Sequence, residues 1–186
     1  MSGVIGSLKL EPAMSRLDLL AAPVVAALEL WPAEAPIDGG QVLVAPIDGD
    51  LADTAAFCAA YGVTLAESAN CVIVAGRRGD VTRYAACVIL ATTRADVNGV
   101  VRRHLDARKA SFAPMDDAVR LTGMEYGGIT PIGLPTSWPV LVDSRVAATP
   151  HVIIGSGVRH SKIAIAGPAL GALPGAEVIE GLARDA

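Results

Sequence analysis

The sequence predicts a mixed α/β fold, one mixed sheet with helices packed around it, on three observations. β-Rich runs and helical segments alternate irregularly along the chain. Two of those runs, Asn70–Ala75 and Thr82–Ala91, are joined by Gly76-Arg77-Arg78-Gly79-Asp80, which makes a hairpin of two buried strands. Such a hairpin favours a mixed sheet over a doubly wound parallel one. Finally, 186 residues, 52% of them apolar, suit one domain with a full core and no staples.

The elements follow in order. Met1 to Pro12 reads as a lead-in. Ser15 to Trp31 reads as helix, capped by Ser15 and stopped by Pro32, with Leu17, Leu20, Val24, Ala27 and Leu28 at roughly helical spacing. Pro36–Gly40 is a loop, Gln41–Ile47 a β-rich run, and Asp48-Gly49 a turn. Asp50 or Asp53 caps a short helix that ends at Tyr61 and is closed by Gly62. After the hairpin, Asp96 caps a helix to about Leu105, Lys109–Phe112 is a short strand, and Pro114 opens a helix from Met115 to Leu121. Val140–Val142, Val152–Ile154 and Lys162–Ala166 are three more strands. A last helix, about Pro168 to Leu173, leads into a weakly structured tail. All of it forms a single domain over 1–186, in which residues 1–50 are an extension whose helix covers the core.

Composition excludes several classes. High apolar content and 18% charge rule out a disordered chain. The most apolar stretch, Leu17–Trp31, holds Asp18, Pro23 and Glu29 and is too short to span a bilayer. No basic region followed by an apolar run marks a secretory leader. Cys58, Cys71 and Cys87 are an odd set without CxxC spacing, which argues against disulfides and zinc and for a reducing cytoplasm. A net charge of −4 does not suit a general nucleic-acid coat, although local positive charge would still hold an RNA end.

The stretch Thr122–Pro139 is too rich in Gly and Pro for helix or central strand. Within it, Gly127-Gly128 lets the backbone approach a ligand closely, and exposed amides in such a bend bind phosphate, carboxylate or a developing oxyanion. An ordinary connector accounts for the same residues equally well.

The segment Thr122-Gly123-Met124-Glu125-Tyr126-Gly127-Gly128-Ile129-Thr130-Pro131-Ile132-Gly133 resembles the signature of the YbaK/EbsC family of prolyl-tRNA editing domains, TG-x-x-x-GG-[IV]-x-P-x-G. Gly127 to Pro131 is its GxxxP element. The hairpin at Asn70–Ala91, Asp96, the strand Pro139–Asp143, and the run Ile153-Ile154-Gly155-Ser156-Gly157-Val158-Arg159 fall in the family's order. The likeness covers about Leu51 to Leu173. It implies a curved, partly barrel-like mixed sheet surrounded by helices. It also implies deacylation of misacylated tRNA, typically Cys- or Ala-tRNA(Pro), with no metal and no cofactor. The CCA end would lie against the GxxxP loop. In cysteine-specific members the substrate's own thiol attacks the ester, so the protein mainly positions and desolvates.

One departure matters. Where the family has a lysine at the start of the first hairpin strand, this chain has Asn70, and the only lysines are Lys9, Lys109 and Lys162. An amide donates a hydrogen bond but carries no charge. Arg159, Arg77 and Arg78 are the nearest candidate replacements. Asn70 is therefore the expected catalytic residue, orienting the ester or a water. Gly127, Gly128, Thr130, Pro131, Asp143, Gly155, Ser156, Gly157 and Arg159 are the expected substrate contacts. Cys71 and Cys87 read as small core residues, since no base is identified beside them. Arg159-His160 fits a phosphate contact or a solvated turn. Arg102-Arg103 and Arg108-Lys109 fit a solvated helix face, or a tRNA backbone contact. A relative that has lost catalysis and binds an RNA end, a nucleotide or a protein is the alternative to the deacylase.

Overall fold

A computed structural model describes residues 5–30 and 41–186. The loop expected at Pro36–Gly40 and the helix stop at Pro32 lie outside them. Five strands form the larger sheet. The hairpin is its centre: β3 (Ala69–Arg78) and β4 (Val81–Leu90) pair antiparallel over their whole length. The turn is only Gly79-Asp80, with Gly79 at φ 60°, so the strands run further than the sequence pattern suggested. The antiparallel edge strand β6 (Lys109–Phe112) lies beside β3. On the other side, β7 (Val140–Asp143) and β10 (Ala176–Ile179) add in parallel, giving the order β10-β7-β4-β3-β6.

The second sheet is antiparallel, in the order β1-β2-β9-β8. Its strands are β1 (Glu11–Pro12), β2 (Leu43–Pro46), β8 (Val152–Gly155) and β9 (Ser161–Ile165). Among the described residues, a single bridge between Ser68 and Ile153 links the two sheets, and no closed barrel forms. β5 (Thr93–Ala95) and β11 (Ala183–Asp185) make a small ribbon.

The side-chain period of two fills both faces of the sheets. Ile73, Val88 and Val142 of the larger sheet join Val44, Ile154, Ile163 and Ile165 of the smaller one in the main core. Val74, Cys87 and Leu141 face the opposite way, against Val101, Leu105 and Leu182. The outer face of the smaller sheet, Ala45, Ile153 and Ala164, packs on Phe57 and Cys58 of α2 (Thr54–Tyr61).

Local chemistry sets the helix ends. Asp53 caps α2, and Gly62 closes it in the left-handed conformation. Pro114 precedes α4 (Met115–Thr122), which Gly123 ends in the same way. The helix expected from Ser15 is shorter. Single 3₁₀ turns occupy Ala13–Ser15 and Leu17–Leu19, and α1 (Ala22–Glu29) begins only where Pro23 can sit in a first turn. Asp96 does cap a turn, but of π type over Val97–Val101, leading into the short α3 (Arg102–His104). The tail expected to be weakly structured instead supplies β10 and β11.

Asp143 explains how that tail is held. It is 1% exposed and ends β7 as the cap of α5 (Ser144–Ala147). Its Oδ1 accepts from the Arg145 backbone N–H at 2.9 Å and from Arg145 Nε at 3.1 Å, and its Oδ2 accepts from the Ala183 N–H at 2.9 Å. Replacing Asp143 by Ala would leave two buried N–H groups and a guanidinium short of a partner. The expected cost is about 2–4 kcal/mol, read as a lower midpoint in urea unfolding.

Candidate functional site

A cavity of about 470 Å³ opens where the start of β3, the start of α2, the end of β8 and the loop after α4 converge. The loop reaches this place because its backbone lies directly on the β8–β9 turn. Gly157 N–H donates to Gly128 O at 2.7 Å, and Glu125 N–H donates to Gly157 O at 2.9 Å. A Cβ on Gly155 would stand 2.3 Å from Gly128 O, and one on Gly128 would stand 2.5 Å from Val158 O. Both neighbours are main chain and cannot swing aside, so glycine is required at both positions.

Arg159 adds a clamp. Its guanidinium donates to Tyr126 O at 3.2 Å and to Gly49 O at 3.0 Å, while its backbone N–H donates to the Glu125 carboxylate at 2.6 Å. Ser156 is fully buried, and its hydroxyl is 2.6 Å from the Ser161 hydroxyl, which in turn donates to Leu19 O.

The expected site residues thus divide. Asn70, Gly127 and Gly155 line the cavity. Gly128, Ser156, Gly157 and Arg159 build the contact behind it, through backbone approach and buried hydrogen bonds. Thr130 is fully buried with an unpartnered hydroxyl and is not on the cavity wall. Pro131 faces a separate apolar groove beside Trp138. Asp143 serves the β7–α5 junction. His160 is exposed, with its ring near Asp18 O. Arg77 and Arg78 lie at the far end of β3, on the order of 20 Å along the strand from Asn70, where Arg78 pairs with Asp106.

Asn70 is held by Thr54, whose hydroxyl donates to Asn70 Oδ1 at 2.8 Å. That bond leaves the amide nitrogen as the side chain's donor toward the cavity. Cys71 also lines it, but burial, and secondarily Cys87, pushes its thiol far above the usual range, while burial raises Cys87 to about 12. Neither is poised as a nucleophile.

Sequence reasoning passed over one wall residue. Lys162 sits on β9, 7% exposed, and is the cation among the described residues that line the cavity. Its Nζ donates to Ala52 O at 3.0 Å and stands 5.3 Å from the centre of the Phe57 ring. Burial pushes the ammonium below the ordinary lysine range, and Arg159 adds slightly to that. Cys58 and Asp53 oppose it. The available signal was a lone charge inside the buried strand Ser161–Ile165.

The model of the aminoacyl-tRNA editing domain family matches residues 48–173. The chain belongs to that family. Among solved structures, a crystallised candidate trans-editing enzyme for prolyl-tRNA synthetase is 19% identical with a TM-score of 0.67, over 91% of this chain and 96% of that one. A hypothetical protein is 22% identical with a TM-score of 0.67, over 85% and 99%. A scaffold protein from computational epitope grafting is 21% identical with a TM-score of 0.68, over 86% and 95%. At these identities the structures speak for the editing-domain fold. No curated protein matches the sequence. Among the described residues, no helix is long and apolar enough to cross a membrane, and no cluster of His, Cys, Asp and Glu is arranged to hold a metal.

A Gly155→Ala substitution tests the main-chain contact of this editing domain. The new methyl must push Gly128 away, so a loss of about 1–3 kcal/mol in denaturant unfolding is expected, with faster amide exchange at Gly157.

Proposed function

We propose that this chain is a stand-alone deacylase that hydrolyses, in trans and in the cytoplasm, the ester joining a wrong small amino acid to tRNA, of the Cys- or Ala-tRNA(Pro) type. The observation that carries the reading is the cavity itself. One wall is Gly127, which has no side chain of its own and is backed by the Arg159 guanidinium. The other presents the Asn70 amide, fixed by Thr54.

The remaining walls favour a small aminoacyl group. Ala69, Ala113, Ala118 and Ile129 line the cavity with short or apolar side chains, which suits a methyl or thiol-bearing group. Two aromatic rings at the wall, Phe112 and Tyr126, are 60% and 58% exposed. Exposed rings beside a cavity offer stacking platforms for the unpaired bases of an RNA end. Exposed Arg77 and Lys109, paired across β3 and β6, extend positive charge along the sheet edge for the tRNA backbone.

Hydrolysis here needs orientation more than a protein nucleophile. Water, or the thiol of a cysteinyl substrate, adds to the ester carbonyl carbon, and the carbonyl electron pair moves onto oxygen. Collapse of that intermediate expels the ribose oxygen, which leaves protonated. In this reading the Asn70 amide donates to the ester, and the walls hold the reacting groups together.

The direct test is release of amino acid from Cys-, Ala- and Ser-charged tRNA(Pro). Turnover of at least one small-residue ester is expected, with Asn70→Ala lowering kcat by about 10- to 100-fold. No release above buffer from any of the three would overturn the reading. Activity confined to an Asn70→Lys variant would instead favour a relative that binds the RNA end without cleaving it.

A further inference from the structure

We propose that Lys162 is a catalytic residue of this site, donating from β9 to the oxyanion that forms on the ester carbonyl, in partnership with the Asn70 amide across the cavity. This rests on the deacylase reading above.

Lys162 occupies the middle of the smaller sheet, opposite Ala45 of β2 and Gly155 of β8. Strand alternation puts it on the face of Ala164, so its stem runs beside Phe57 and its ammonium emerges at Ala52. Asn70 enters the same cavity from the other sheet. A charged donor and a neutral donor therefore face one space from two strands that are remote in sequence.

The ammonium also has an unfilled requirement. An ammonium has three N–H donors. Among the described residues, the Ala52 carbonyl is its hydrogen-bond acceptor, and no carboxylate lies within ion-pair distance of it. Cavity-lining Asp53 is close enough to favour the charge, but its Oδ1 is engaged with the Ala55 N–H. A lysine kept for structure alone would be paired or would extend into solvent. Burial at 7% exposure beside an open cavity leaves donors for an anionic guest.

Depth decides which anion. A phosphodiester is strongly hydrated and belongs outside the cavity, where Arg77 and Lys109 are exposed along the sheet edge. The charge that arises within the cavity during hydrolysis is the carbonyl oxygen's, as water adds to the carbon. An ammonium fixed before the reaction stabilises that charge without reorganising, and more strongly than it would in water. In the balanced step, ester and water give carboxylate, the free 3′- or 2′-hydroxyl, and one proton released to solvent. Lys162 returns to its starting state.

Lys162→Met keeps the length of the side chain and removes the charge. Using the tRNA ester that wild type cleaves fastest, the expected result is a fall in kcat of about 10²-fold or more with KM changed by less than about threefold. Lys162→Gln, which retains a donor for Ala52 O, should lose kcat similarly. It serves if the Met variant does not fold. The wild-type kcat, corrected for spontaneous hydrolysis, should fall as pH rises through a lysine range depressed by burial, with Asp53, Cys58 and Arg159 the charged or titratable groups acting on it. A lysine that merely holds Ala52 would lower the melting temperature when replaced and leave kcat unchanged. Full kcat in a folded variant would overturn this role and leave the deacylase standing. Inactivity of wild type on every charged tRNA would overturn both.

Discussion

The site depends on one main-chain contact. Gly128 O accepts from Gly157 N–H at 2.7 Å, and no Cβ fits at Gly128 or Gly155 without meeting backbone atoms. Backbone against backbone is the closest approach two segments can make. It fixes the loop after α4 to the smaller sheet, and the cavity exists because the loop stops there rather than collapsing onto β3. Among the described residues, Ser68 and Ile153 supply the only ladder bridge between the sheets. The position of the loop is therefore reinforced by side chains. Arg159 spans two carbonyls, and Ser156 and Ser161 hand a hydrogen bond on to Leu19. These groups support a wall they do not form.

That division explains which parts of the site the sequence disclosed. The glycine run, the hairpin and the Gly-Ser-Gly turn were legible because their signals are local: φ above zero, β-branched runs, missing side chains. Their meeting at one cavity followed from a resemblance in motif order. The division of labour among them did not follow, because which glycine faces the void and which faces a backbone depends on close main-chain contact between segments about thirty residues apart in sequence. Asp143 illustrates the same limit. An acid at a strand end fits a binding site and a helix cap equally well, and only the Ala183 N–H on its far side reveals the cap.

The C-terminal strands were hidden for a related reason. β10 carries only two β-branched residues, Val178 and Ile179, and β11 reads Ala-Arg-Asp. Neither has an intrinsic pattern strong enough to declare itself, and each becomes strand by pairing with an edge already formed, β7 or β5. Early in the chain the error ran the other way. A good helical period over Leu17–Leu28 overstated the helix, because Pro23 lacks an amide hydrogen and is accommodated only near a helix start.

Charge placement is the remaining constraint. An ammonium buried against a carbonyl and an aromatic ring carries a desolvation cost that a methionine at the same place would avoid. Under the proposal above, that cost is retained because the charge is used at the wall of the cavity that Asn70 also lines. A cavity bounded by two sheets can draw its cation from either. Under that proposal, Lys162 on β9 supplies the positive potential, and β3 presents the neutral Asn70 amide to the same void.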